Sequence, residues 1–186
     1  MSTVSDLTEQ YAEELKLPWQ RSLSGAERVW MLVYPPTDER RIRARLDQLR
    51  SHTLASGRGW TSVDITDELG RWVARHPYAE AFFHDPTDIT ESLLEDFETV
   101  LAASIIAALD DPAADENAIV ALIGLGSLYP YVRASRVIAT VESQIRGRLL
   151  VLFPGHVNRT TGNYRLLDAR DGFNYRAQLI AEKDLP

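Results

Sequence analysis

Three short runs of consecutive apolar residues constrain this chain more than any other feature. Arg28 to Tyr34 (RVWMLVY), Ile119 to Leu125 (IVALIGL) and Arg148 to Phe153 (RLLVLF) are each of strand length, and none alternates apolar with polar positions. A strand that reads as an unbroken apolar run is covered on both faces, which is the situation of a parallel sheet clad in helices. Pro35-Pro36 stops the first run, the Gly124-Leu-Gly126 turn ends the second, and Pro154-Gly155 stops the last. Trp60 to Ile65 reads as a further strand between the first two.

Helical periodicity fills the intervals. Residues 6–17 place Leu7, Tyr11 and Leu15 on one side and end at Pro18. A helix capped by Thr37 or Asp38 runs to about His52, with Ile42, Leu46 and Leu49 as its stripe. Thr66-Asp-Glu-Leu starts another, with acids in the first turn where the helix dipole favours them, and Pro77 kinks or ends it. The longest stretch, Asp88 to Leu109, repeats Leu93, Leu94, Phe97, Leu101 and Ile105 at helical spacing before Pro112. Tyr131 to Ile145 carries Val132, Val137, Ile138 and Val141; Asn158 to Gly172 is turn-rich, with a short strand at Tyr164 to Leu167; a closing helix is expected from about Asn174.

The order β-α-β-α-α-β-α-β predicts the α/β class. The expectation is a single three-layer α/β/α domain over residues 1–186, around a mainly parallel sheet of four to five strands. Its topology would be P-loop or Rossmann-like, with an N-terminal helix at 1–17 and an acidic helical insertion at 85–117. At 186 residues and 45% hydrophobic, the chain can bury a core without staples. It has no cysteine, which removes disulfides, thiolate zinc sites, iron–sulfur clusters and thiol catalysis together. The first ten residues carry acids where a signal peptide carries bases, and no apolar stretch nears the roughly 20 residues that span a bilayer. A cytoplasmic protein with no membrane partner is expected.

The net charge of −7 is unevenly spread. Residues 85–117 hold ten acids and no base, whereas residues 133–176 hold eight arginines against three acids. Overall acidity opposes unaided DNA binding. Ligands of such sheets sit beyond the carboxyl ends of the strands. There the first loop offers two prolines in place of the glycines and Lys-Ser/Thr of a phosphate loop, so P-loop ATP hydrolysis is excluded. Gly124-x-Gly126 is a fragment of a dinucleotide fingerprint with Tyr129 where the third glycine belongs. His52, His76, His84 and His156 show no metal-ligand spacing, no Gly-x-Ser-x-Gly elbow is present, and neither lysine lies on a predicted strand. Each catalytic template lacks a specific part, so the expectation is a protein that is not an enzyme and takes no cofactor or metal.

Three stretches carry a resemblance. Gly25-Ala-Glu-Arg-Val-Trp-Met-Leu-Val-Tyr-Pro-Pro-Thr-Asp-Glu39, Ile123-Gly-Leu-Gly-Ser-Leu-Tyr-Pro-Tyr-Val-Arg133, and Leu150-Val-Leu-Phe-Pro-Gly155 followed by Asn174-Tyr-Arg-Ala177 resemble, in order, the strands and turns of the BrxB family of BREX (bacteriophage exclusion) systems. Such systems methylate host DNA and block replication of unmodified phage. The resemblance implies a non-catalytic accessory subunit that associates with the PglZ-like BREX protein and with other BREX subunits, and meets DNA only within a complex. Two uses of the surface stay open. In one, the N-terminal helix or the Tyr129-Pro130-Tyr131 turn docks a partner, with Arg133 an interface or helix-start residue and Tyr175 and Arg176 a partner contact or a cap over the sheet. In the other, a strand-end crevice binds a nucleotide or nucleic acid, with Gly124, Gly126, Arg133, His156 and Arg159 around a phosphate. Tyr34 and Arg136 complete the candidate partner- or phosphate-binding set.

Overall fold

The apolar runs become the centre of a sheet. In the computed structural model, which describes residues 4–169 and 173–181, β1 (Val29–Tyr34) and β3 (Ala118–Ile123) are buried at every position. The strand β4 (Arg148–Asn158) is buried through Gly155. With β2 (Gly59–Asp64) and β7 (Gln178–Ala181), they form the parallel order β2-β3-β4-β1-β7. The register runs from Val29 opposite Leu149 to Tyr34 opposite Pro154. β2, at one edge, has no buried position, because only one side of it has a neighbour.

The sheet differs from the expected one at its C-terminal part. β4 outruns its parallel partners, and its extension from Gly155 to Asn158 pairs antiparallel with β5 (Asn163–Leu166), which pairs in turn with β6 (Phe173–Asn174). The result is a mixed seven-stranded sheet, not a mainly parallel one of four to five strands. The expected closing helix from Asn174 is also corrected: the chain there forms β6 and then β7 alongside β1, from Trp30 opposite Gln178 to Val33 opposite Ala181. Gln178–Ala181 is too short for periodicity to separate helix from strand, and its pairing with β1 decides it.

Alternate residues of the central strands feed two cores. Val29, Met31, Val33, Val120, Leu122, Leu149, Val151 and Phe153 meet α6 (Glu91–Asp110), through Phe97, Leu101 and Ile105, and α7 (Ala134–Val141), through Val137 and Ile138. Trp30, Leu32, Ile119, Leu150 and Leu152 meet the opposite layer. That layer holds α1 (Val4–Lys16), α2 (Glu39–Arg43) and α3 (Leu46–Ala55), through Leu7, Tyr11, Leu15, Ile42 and Leu49. The single helix expected over 37–52 is interrupted at Ala44-Arg45, where Arg45 N–H bonds Ile42 O at 2.9 Å in a tighter turn. α4 (Glu68–Arg75) and α5 (Ala79–His84) are separated at His76, which takes an extended backbone ahead of Pro77, as a residue before proline prefers. The helix expected from Tyr131 starts at Ala134 and ends in a 3-10 turn at Glu142–Gln144. Among the described residues, no helix is long and apolar enough to cross a membrane.

Candidate functional site

The carboxyl ends of β1 and β2, with α2, bring together a polar network. Tyr34 ends β1 with its ring buried, and its hydroxyl donates to Glu39 Oε2 at 2.6 Å. One helical turn on, Arg43 Nε donates to Glu39 Oε1 at 2.8 Å, a pairing that the i, i+4 spacing on α2 provides. The same guanidinium reaches β2, donating to Asp64 Oδ2 at 3.0 Å and to Thr66 Oγ1 at 2.5 Å. Asp64 Oδ1 accepts from Thr66 N at 2.9 Å and from the Thr66 hydroxyl.

The electrostatics follow from these contacts. Burial pushes the Asp64 carboxyl up, but the Thr66 hydroxyl, the Thr66 amide and Arg43 outweigh it and hold the group below the usual carboxylate range. Burial pulls the Arg43 guanidinium down, and Glu39 and Asp64 more than restore it, so its proton is held more firmly than usual. Burial, the hydrogen bond to Glu39 and the charge of Glu39 drive the Tyr34 phenol far up, so it remains a neutral donor. Among the described residues, no three of His, Asp and Glu converge as a metal-binding set.

The neighbouring turn is built around Gly124, whose φ of +91° lies in the left-handed region. A Cβ there would stand 2.6 Å from Thr66 N, and one on Gly126 would stand 3.2 Å from the Pro154 ring. Gly124 is thus required by its left-handed backbone and by close packing against Thr66, and Gly126 packs tightly on Pro154. Ser127 Oγ locks the turn by donating to Gly124 O at 2.8 Å and to Ile65 O at 3.3 Å. Tyr129 and Tyr131 then emerge, 39% and 41% exposed, on either side of Pro130. Arg133 is exposed in an extended conformation just before α7, and its side chain does not cap that helix.

The candidate set does not gather in one place. Arg136 turns to α6, with Nη2 3.1 Å from Glu98 and 3.7 Å from Glu95. His156 is exposed on the extension of β4, opposite Arg165 of β5. Arg159 Nη2 donates to Ala181 O at 3.2 Å, at the end of β7. Tyr175 and Arg176 precede β7 and therefore lie at the amino ends of the parallel strands, the opposite end from Gly124 and Tyr34. There the Tyr175 hydroxyl donates to Glu142, a cap between the β7 edge and the turn after α7. The N-terminal helix spends its apolar side within its own domain: Leu7, Tyr11 and Leu15 are buried, and Tyr11 Oη lies 2.5 Å from Thr53 Oγ1. Reading from the residues missed Glu39, Arg43, Asp64 and Thr66. The available signals were the Glu39/Arg43 spacing and an Asp-x-Thr at a strand end.

The sequence profile described as BREX protein BrxB matches residues 69–180 of this chain. No curated protein and no solved structure matches it. The matched segment runs from α4 into β7, more than half the chain, and contains the Gly124 turn, the exposed tyrosines and the whole of β3 and β4, so this chain belongs to the BrxB family of BREX anti-phage systems.

Proposed function

We propose that this BrxB protein is a non-catalytic accessory subunit that docks on the PglZ component of its BREX system and so supports host DNA methylation and phage exclusion. One observation carries the reading. At the carboxyl ends of the strands, where an α/β enzyme keeps its reactive groups, Tyr34, Glu39, Arg43, Asp64 and Thr66 are engaged with one another. Beside that network, Tyr129, Tyr131 and Arg133 are exposed. Aromatic residues and arginine are the types that dominate binding energy at protein interfaces. Contact with other BREX subunits, and with DNA, follows through the assembly. The protein acts in the cytoplasm, where host DNA is modified.

The test is co-purification with the PglZ protein of the same system at low and high salt. A stoichiometric complex that survives high salt, and that Tyr129→Ala with Tyr131→Ala weakens, supports docking through the aromatic turn. A folded BrxB protein that forms no complex with PglZ at either salt concentration overturns the proposal.

A further inference from the structure

The amino ends of the same strands carry a different chemistry. Arg28 stands immediately before β1, Arg58 immediately before β2, and Arg148 is the first residue of β4. In the order β2-β3-β4-β1, these arginines stand at the amino ends of the strands, around a cavity of about 850 Å³ that Arg21 and Arg146 also line. Arg148 is only 4% exposed, and its nitrogens donate to two neutral carbonyls, Gly147 O at 3.0 Å and Gln20 O at 3.2 Å. Arg58 Nη1 donates to Asn117 Oδ1 at 2.9 Å, and Arg28 bonds the carbonyls of Leu23, Arg21 and Arg146. Among the described residues, no carboxylate lies within ion-pair distance of Arg28, Arg58, Arg146 or Arg148.

Trp19 is held between two of them, its ring 3.7 Å from the Arg58 guanidinium carbon and 4.5 Å from that of Arg148. Cation–π contact orients a guanidinium but does not neutralise it. Two donors in this sandwich, Trp19 Nε1 and Arg58 Nε, are buried with no hydrogen-bond partner among the described residues. Unsatisfied buried donors are rare, and each calls for an acceptor. The acids that reach the cavity are otherwise engaged: Glu142 accepts from Tyr175, Asp115 Oδ1 accepts from Asn117 N at 2.8 Å, and Glu116 lies 4.0 Å from the exposed Arg21. Burial, with Arg28 and Arg58 as like-charged neighbours, pushes the Arg148 guanidinium down to about 10, so it is still charged at neutral pH.

We infer that this amino-end cavity binds a small phosphate-bearing ligand, with Arg58, Arg148 and the Trp19 indole N–H as donors to its oxygens. Five guanidiniums line the cavity against three carboxylates, and the excess of positive charge fits an anion, whose phosphate oxygens the guanidinium fork matches two at a time. The cavity is of the size that takes a small organic ligand, in the range of about 300–1,000 Å³. This inference is independent of PglZ docking, because it concerns the other end of the sheet.

The full chain is titrated calorimetrically with inorganic pyrophosphate and, separately, with ATP, at low and high salt. Saturable binding that weakens with salt is expected. Arg58→Gln should reduce the affinity about tenfold or more, as loss of a charge-assisted donor pair does, and Arg133→Ala at the other end should leave it unchanged. Arg58→Lys, which keeps the charge and loses the fork, serves as the second variant should Arg58→Gln fail to fold. ATP binding tighter than pyrophosphate assigns a nucleotide; equal affinity assigns the phosphates alone. No binding of either ligand at millimolar concentration overturns the inference, as does binding that Arg133→Ala abolishes or that folded Arg58 variants retain in full.

Discussion

Replacing Arg43 by methionine keeps the apolar stem and removes the charge that ties α2 to β2. Arg43 bonds Glu39 at 2.8 Å, Asp64 at 3.0 Å and Thr66 at 2.5 Å. A hydrogen bond to a charged partner contributes about 1.5–3 kcal/mol when sheltered, and a fully exposed pair about 0.2–1 kcal/mol. Arg43 and Glu39 side chains are 30% and 31% exposed and Asp64 is 49% exposed, so each ion pair falls between these limits. Their sum is about 2 kcal/mol, which for a chain of this length lowers Tm by roughly 4–8 °C at pH 7. The pH dependence supplies the sign. Asp64 is held below its ordinary value in the folded state, so its stabilisation is fully present above about pH 4 and is lost as pH falls through the lower folded value. Differential scanning calorimetry of wild type and Arg43→Met should therefore show the full gap at pH 7 and a narrowed one near pH 3. An equal gap at both pH values would mean that the ionised Asp64 carboxylate is not what Arg43 stabilises the fold through. No gap at pH 7 would refute the network's role altogether.

The remaining predictions concern packing and the docking surface. Gly124→Ala should destabilise by at least about 2 kcal/mol in urea denaturation, because a left-handed backbone costs about 1–2 kcal/mol for an alanine and its Cβ would meet Thr66 N at 2.6 Å. Gly70→Ala should do the reverse, raising stability by about 0.5–1 kcal/mol, since Gly70 lies inside α4 and nothing stands within 4 Å of its added Cβ. Phe97→Ala, which empties a fully buried site 5.6 Å from the Trp72 ring, should cost about 3–5 kcal/mol by the same measurement. Tyr129→Ala with Tyr131→Ala should change stability by less than about 0.5 kcal/mol each while weakening the PglZ complex in pull-down.

The inner strands were legible because burial on both faces leaves an unambiguous mark. Val29 to Tyr34, Ala118 to Ile123 and Leu149 to Phe153 are apolar without interruption, and the structure places them side by side with helices on both sides. The edge of the sheet was not legible for the complementary reason. Gln178–Ala181 is four residues long and half covered, so neither composition nor period marks it as a strand until β1 supplies hydrogen bonds. The β4 extension was hidden by Pro154-Gly155, which reads as a stop. Pro154 sits where β4 leaves its parallel partner β1, and Gly155 is needed because Arg165 O passes directly beside its Cα. At the site, the Gly124 turn could be read from its glycines and the Glu39/Arg43 pair from its spacing, but not their meeting with Asp64 and Thr66, which arrive through the β1–β2 crossover.

The two ends of the sheet differ in how their charges are met. At the carboxyl end one guanidinium, Arg43, lies against two carboxylates, and the group is more firmly protonated than usual. At the amino end Arg148 is buried against two other arginines and held to about 10, where an ordinary guanidinium lies above 12. Keeping that charge at neutral pH is therefore a cost to the fold, of which the Trp19 ring returns a part. A methionine or leucine of similar volume would avoid the cost, since buried charges are commonly replaced by apolar residues without loss of stability. Local rules are broken in this way chiefly where a fold serves something other than its own stability. Arg148, in the first position of β4, breaks the rule at the amino end of the strands, with the half-buried Arg28 and Arg58 beside it. An anion in the cavity would offset the excess of positive charge there, and its binding would raise the stability of the folded chain by mass action.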